Sequence, residues 1–461
     1  MRSYMNLSVA PCDDFYEYAC GNWKNLLTNT ELAQALNVST ELQVAQKFYN
    51  ACLSAVVFPF PAAEPAYLKL IRSVGGFSKN PEGVANYLAM LLLYTMDAKL
   101  KGEKYHKDYC LSMVRFSFPH LLNKLYMADQ FNERTRSEVY AIVQEVRNSQ
   151  RKALEKVEWL DPETRREAQL KESTIESIIG SYENEEITTR MIQEIRGLDL
   201  KEASYPQSLI HLRKLVTRLR RFNGFHYEEL HNESKPLDFL LGMQVNAFYY
   251  NLDNSIYVMA GILHPPAYHP DWPNSLKLGT LGYLMGHELT HGFDTMGSNF
   301  DSEGEMRNWW SKKSRAVFEE RAMCFVDYYD RYLIPEINRN INGKGTQDEN
   351  IAVSGGLQGA LDAYRNQMKQ LKNRSEGANA TLESEKMPGL DLSPEQLFFL
   401  GFAQLWCADY EQEHYWEELG KEHTIDKYRV LGAVSNNHDF SQVYNCPSGS
   451  PMNPKNSCRI W

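Results

Sequence analysis

The segment His287-Glu288-Leu289-Thr290-His291 constrains this chain more than any other feature. Two imidazoles four residues apart share a face only on an α-helix, because about 3.6 residues complete a turn. From one face both can reach a single metal ion. Zinc takes nitrogen ligands at about 2.0–2.1 Å, and three protein ligands leave a fourth, catalytic position open. Glu288 stands one residue round the helix, where it can touch a water at the metal. Zinc lowers the pKa of such a water toward about 7 and polarises a carbonyl. Glu288 would take the proton and pass it to a leaving amine. The competing reading is a buried amphipathic helix with a chance pair of histidines.

A third ligand decides between them. Glu349-Asn350-Ile351-Ala352 opens a second helical pattern whose inner face continues through Val353, Leu357, Leu361 and Tyr364. Glu349 on that face would complete a His-His-Glu set. Asp294, three residues after His291, can accept from the other ring nitrogen of a ligand histidine.

The chain has 461 residues, which at roughly 150 per domain predicts two or three lobes. Its 43% hydrophobic and 23% charged residues are those of a globular protein. The net charge of −10, from 49 basic and 59 acidic residues, argues against a nucleic-acid partner. No apolar run approaches the roughly 20 residues of a membrane helix. The run from Leu88 to Met96 reads as a buried helix, and Met1 to Trp23 has no signal core.

Eight cysteines (Cys12, Cys20, Cys52, Cys110, Cys324, Cys407, Cys446 and Cys458) are widely spaced with no CxxC pair, so a zinc ribbon is a poor reading. An even count suits disulfides in an oxidising compartment; eight buried thiols in a cytosolic protease are the alternative. Sequons begin at Asn6, Asn37, Asn232, Asn373 and Asn379 as glycosylation candidates. Together these predict an extracellular ectodomain, secreted or at the cell surface, with a signal or anchor upstream of this chain. No sequence feature sets the oligomeric state.

Residues 85–235 read mostly as helix, with Val139, Ile142, Val143, Val146, Ala153 and Val157 at helical spacing. Asp161 caps a helix that starts at Pro162. His231 to Pro236 is a polar break, which predicts an N-terminal helical lobe over 1–235 and a catalytic lobe over 236–461. Val245–Tyr250 and Ser255–Met259, joined by the turn Asn251–Asn254, predict a hairpin. Pro265, Pro266, Pro270 and Pro273 mark a loop, a helix follows from about Leu276, and Asn373–Leu392 reads as a surface loop.

At this point the chain resembles the neprilysin-type zinc metallopeptidases, kin to neprilysin and the endothelin-converting enzymes. The resemblance runs almost end to end. It is carried by Pro11 to Tyr16, Ala19 to Trp23, Trp159-Leu160-Asp161 with Thr164-Arg165, Val245-Asn246-Ala247, and Gly286 to Asp294. Asn299-Phe300-Asp301, Trp309-Trp310, Glu349 to Ala352 and the tail from Asn445 to Trp461 complete it. It implies a mainly α fold with a small β component: two lobes, one a thermolysin-like zincin catalytic lobe, the other helical. It implies one zinc ion per chain, held by His287, His291 and Glu349, with Glu288 as base. The substrates it implies are extracellular peptides, cut on the amino side of hydrophobic residues. His423 and Arg429 match the transition-state histidine and the substrate-binding arginine. Asn246 and Ala247 match the edge that pairs with substrate backbone. Ile262, Leu284, Leu405 and Trp406 match the hydrophobic pocket. The family's disulfides would pair Cys12 with Cys446, Cys20 with Cys407, Cys52 with Cys110 and Cys324 with Cys458, tying 1–23 to the catalytic lobe.

Four departures stand out. Val353 replaces an aspartate that can orient a zinc histidine, and such a loss costs about 10–100-fold in affinity or activity. Lys421 replaces an aspartate before His423 and is expected to depress that histidine's pKa. Ala267 replaces a pocket aromatic. The Cys52–Cys110 interval is far shorter than the family's, so the helical lobe is reduced. These departures motivate an alternative class, a catalytically impaired homologue that binds peptides or a partner protein.

Overall fold

The computed structural model describes residues 1–23, 43–53, 103–183, 242–374 and 385–461, together with position 82, the pair 239–240 and short helical pieces between 189 and 218. The predicted helix at Leu88–Met96, the break at His231–Pro236 and the sequons at Asn37, Asn232 and Asn379 lie outside the described residues. The chain divides into two compact units, one of residues 1–26, 127–182 and 242–461, the other of 27–126 and 183–241. This division carries 127–182 with the C-terminal half, unlike a boundary at 235, because its helices bury their apolar stripe in that unit's core.

In chain order the main described helices are α1 (Phe15–Cys20), α2 (Gln43–Leu53), α3 (Glu103–Ser117), α4 (Pro119–Gln130), α5 (Glu133–Lys156) and α6 (Pro162–Thr174). After the sheet come α7 (Tyr283–His291), α8 (Lys312–Tyr329), α9 (Gln347–Arg374), α10 (Pro394–Gln404), α11 (Gln412–Leu419), α12 (Asp426–Ser435) and α13 (His438–Val443). The fold is mainly α. In α5 the predicted stripe is the buried one, with Val139, Ile142, Val143 and Val146 nearly inaccessible. The Asp161 carboxylate accepts from the backbone N–H groups of Glu163 and Thr164, and Pro162 supplies the fixed φ of the first turn. A buried ion pair ties α6 to α5. Arg147 Nε meets Glu172 Oε1 at 2.9 Å, and Arg147 Nη1 donates to the Ile175 carbonyl at 2.8 Å.

Three strands, β1 (Glu176–Gly180), β2 (Ala247–Tyr250) and β3 (Ser255–Met259), form a sheet in the order β1-β3-β2. β2 and β3 are the predicted hairpin, antiparallel with Ala247 opposite Val258. β1 pairs parallel to β3 and adds a strand, not singled out from sequence, to a region read as mostly helix. Ile178 and Ile179 are β-branched, and Gly180 at φ +106 ends the run. A correction concerns Asn373, which lies in the last turn of α9 rather than in a loop.

All eight cysteines are oxidised in the pairs that the resemblance implies. Cys12–Cys446 and Cys20–Cys407 fasten α1 to the C-terminal segments, where Phe15 packs edge-on against Phe440 at 4.7 Å. In the second unit, Cys52–Cys110 joins α2 to α3, and Phe48 packs on Phe118. Among the described residues no helix is long and apolar enough to cross a membrane.

Candidate metal centre

Every residue of α7 from Tyr283 to Thr290 is buried, so this helix is core on all sides. Glycines let α9 approach it closely. A Cβ on Gly356 would stand 2.5 Å from the His287 backbone nitrogen, and one on Gly286 would stand 2.8 Å from the Gly356 carbonyl oxygen. Backbone contact at that point brings Glu349, two turns earlier on α9, over the two histidines.

The geometry is that of a donor set. His287 Nε2 and His291 Nε2 are 3.1 Å apart. Glu349 Oε2 lies 3.3 Å from His287 Nε2, and Oε1 lies 3.6 Å from His291 Nε2. One ligand atom from each residue falls within 4.8 Å of the others. Glu349 Oε2 is buried without a hydrogen-bond donor, and two facing imidazole nitrogens cannot both be satisfied by each other. A divalent cation satisfies all three groups at once, and two nitrogens with one carboxylate oxygen suit zinc. A second group, Cys52, His106 and Cys110, also clusters its side-chain donors. Its two sulfurs are joined in a disulfide and present no thiolate.

Charge is unevenly distributed over the histidines. Burial pushes His287 down to about 4, only partly opposed by Glu349. Burial also opposes a charged His291, but the Asp294 carboxylate, 2.7 Å from Nδ1, outweighs it and raises His291 to about 9. That contact holds a proton on Nδ1, so Nε2, on the Glu349 side, is the nitrogen left to give up its proton to a metal. Glu349 is held well below the usual carboxylate range; burial alone would raise it, but His287, His291 and His423 win. Burial lifts Glu288 to about 8, with Glu349 adding and His291, Arg429 and the Tyr249 backbone N–H opposing.

His423 reaches the centre, with Nε2 3.3 Å from Glu349 Oε2 while its side chain stays 54% exposed. It is placed by its neighbour: the buried Thr424 hydroxyl donates to Asn350 Oδ1 at 2.7 Å, beside Glu349. Its pKa is lowered by burial first, then by Arg429 and His291. Lys421 is not a cause, which corrects the expected reason. Its ammonium turns outward to Glu418 and is screened by solvent. Arg429, on α12, is 4% exposed with its guanidinium 4.1 Å from the Trp406 ring, and its Nε has no partner. Leu284 lies on α7 itself, Trp406 stands edge-on to Tyr283, and Ile262 and Leu405 are half-buried against the same core. Asn246 is exposed and precedes β2, an edge strand among the described residues.

The positioning roles of Gly286, Gly356, Asn350 and Thr424 were missed from sequence. Gly355-Gly356 inside a helical pattern was an available signal, since glycine is costly there unless something must come close.

Comparison with known proteins bears on family and fold. Sequence models described as Peptidase family M13 match residues 246–460 and 92–183. Membrane metallo-endopeptidase-like 1 of Homo sapiens is 36% identical over 360 residues, which is 76% of this chain and 44% of that protein. Neprilysin-2 of Drosophila melanogaster is 32% identical, over 74% of this chain and 42% of that protein. The chain thus spans less than half the length of these relatives. Among solved structures, the inhibitor complex of the Mycobacterium tuberculosis zinc metalloprotease Zmp1 aligns with a TM-score of 0.65 at 23% identity. It covers 77% of this chain and 51% of that one. The Haemonchus galactose-containing glycoprotein complex aligns over 100% of this chain and 97% of that one, with a TM-score of 0.72 at 18% identity. At these identities the two structures speak to fold alone.

Proposed function

Because the chain belongs to peptidase family M13, we propose that it is a zinc-dependent endopeptidase of extracellular peptides, cutting on the amino side of hydrophobic residues. The observation that carries this reading is the convergence of His287, His291 and Glu349 within 4.8 Å, with Glu288 buried beside them. His287, His291 and Glu349 would hold one zinc ion, which would supply a Lewis acid, make water a better nucleophile and favour the Glu288 carboxylate over its acid.

The chain's own groups do the rest. Glu288, oriented by the Tyr249 N–H, takes a proton from the attacking water and returns it to the departing amine. His423, exposed at the mouth, donates to the oxygen that gains charge in the transition state. Arg429 is stacked on Trp406 before substrate arrives and offers its unpartnered Nε face to a peptide carbonyl or carboxylate. The backbone at Asn246 and Ala247 pairs with substrate as an added strand. Leu284 and Trp406, with Ile262 and Leu405, receive the apolar side chain. Four disulfides support an oxidising, extracellular setting.

The test is hydrolysis of a mixed peptide library by zinc-loaded protein from a secretory host. Cleavage before large hydrophobic residues is expected. Glu288→Gln should lower it by at least about 10²–10⁴-fold while zinc stays bound. Folded, zinc-loaded protein that cleaves no better than this variant would sink the proposal. A second reading, a peptide-binding homologue with impaired catalysis, draws on one feature: His287 Nδ1 is buried without a partner. That outcome of the library experiment would favour it.

A further inference from the structure

Among the described residues, Lys171 on α6 is a lysine that the fold buries almost completely, at 1% exposure. We propose that Lys171 is a positioning residue for the metal centre: it pins the turn that keeps Asp294 on His291. This rests on the zinc reading above.

The chain of contacts is continuous. Lys171 Nζ donates to the Gly297 and Phe300 carbonyls, each at 2.8 Å. Gly297 in turn donates its N–H to Asp294 Oδ1 at 2.6 Å, and Asp294 Oδ2 meets His291 Nδ1 at 2.7 Å. One residue, Gly297, therefore takes Lys171 on its carbonyl and Asp294 on its amide. A Cβ there would stand 1.9 Å from the His291 carbonyl oxygen, so the turn lies directly on the end of α7.

Other donors clamp the same turn. Trp309 Nε1 shares the Phe300 carbonyl at 3.0 Å, and Trp310 Nε1 donates to the Ser298 carbonyl at 2.8 Å. Asp348, next to Glu349, accepts from the Thr295 amide at 2.9 Å. Lys171 is fixed from behind, where Asn254 Nδ2 donates to its carbonyl at 3.0 Å. Its ammonium faces the rings of Phe293 and Tyr249 at 5.7 and 5.8 Å. Burial lowers its pKa to about 7 against the pull of Asp294 and Asp301. A buried ammonium is costly unless its donors are used. Here two of its three hydrogens go to the turn behind the ligand histidine, a hydrogen-bonded relay of the kind that sets ligand orientation.

The experiment measures zinc affinity of the full chain by chelator competition, with melting of the metal-free protein as a control for folding. Lys171→Met keeps the length and removes the donors; it should weaken zinc binding about tenfold. In an Asp294→Asn background the same substitution should change affinity little further, because both act through one contact. Lys171→Arg, which keeps charge but misplaces the donors, should fall between. Folded Lys171→Met with the parent's zinc affinity overturns the proposal, as does an equal loss in both backgrounds. If Lys171→Met does not fold, Lys171→Arg carries the same comparison: a loss confined to the Asp294 background supports the relay, an equal loss overturns it. A parent protein that binds no zinc overturns the metal reading, and this inference with it.

Discussion

His287 and His291 stand one turn apart on the same helix, yet their surroundings are opposites. The side of the centre behind His291 is polar and heavily bonded, with Asp294, the 294–300 turn, Lys171 and Asp348 in sequence. His287 lacks such backing. Its Nδ1 has no partner, and Val353, one turn after Glu349 on the inner face of α9, is buried in the core. One imidazole has its tautomer and angle set by a carboxylate; the other is held by packing and by its metal-side nitrogen alone. The shared helix face therefore does not give the two histidines equivalent settings, because orientation comes from the groups behind the ring.

The largest effect is expected from removing the ordered side. Asp294→Asn should cost about 10–100-fold in zinc affinity by chelator competition, because the amide no longer favours the Nδ1–H tautomer. An unchanged affinity would mean that the two histidines are alike after all. A smaller and opposite change is expected from Val353→Asp, which offers His287 an acceptor. Zinc affinity should rise about tenfold, with lower stability of the metal-free chain from the added buried carboxylate. A folded variant with no gain would show that packing already orients His287.

The smallest effect is a difference in pH slope in chelator-treated protein. His287 is held near 4 in the fold, below the ordinary 6.5, so the unfolded chain binds the extra proton. Its contribution is present above about pH 6.5 and lost as pH falls through 4. His291 is raised to about 9, so its contribution is full below 6.5 and lost as pH rises through 9. Denaturant melts across this range should show His287→Gln flattening the acid limb and His291→Gln the alkaline limb. Both substitutions flattening the same limb would break the contrast.

Much of this was readable from sequence, for local reasons. The Asp161-Pro162 start, the stripe of α5, the β2–β3 hairpin and the inner face of α9 each depend on residues within a few turns of one another. The disulfide pairing was legible only through the resemblance, since eight cysteines do not declare their partners. β1 was hidden because its parallel partner, β3, lies far along the chain. The Lys421 expectation failed for another reason: adjacency in sequence did not tell where a flexible ammonium would point, and it points to Glu418.

The sequence alone determined that His287 and His291 share a helix face and that Glu349 sits on a second amphipathic helix, because helical periodicity is a property of the backbone itself. Only the tertiary structure decided that Gly286 meets Gly356 and brings Glu349 over the pair. It alone decided that His423 and Arg429 arrive from distant segments, and that an ordinary lysine at position 171 is buried behind Asp294. Desolvation and hydrogen-bond partnership arise from packing between segments remote in sequence, and spacing along the chain carries no record of them.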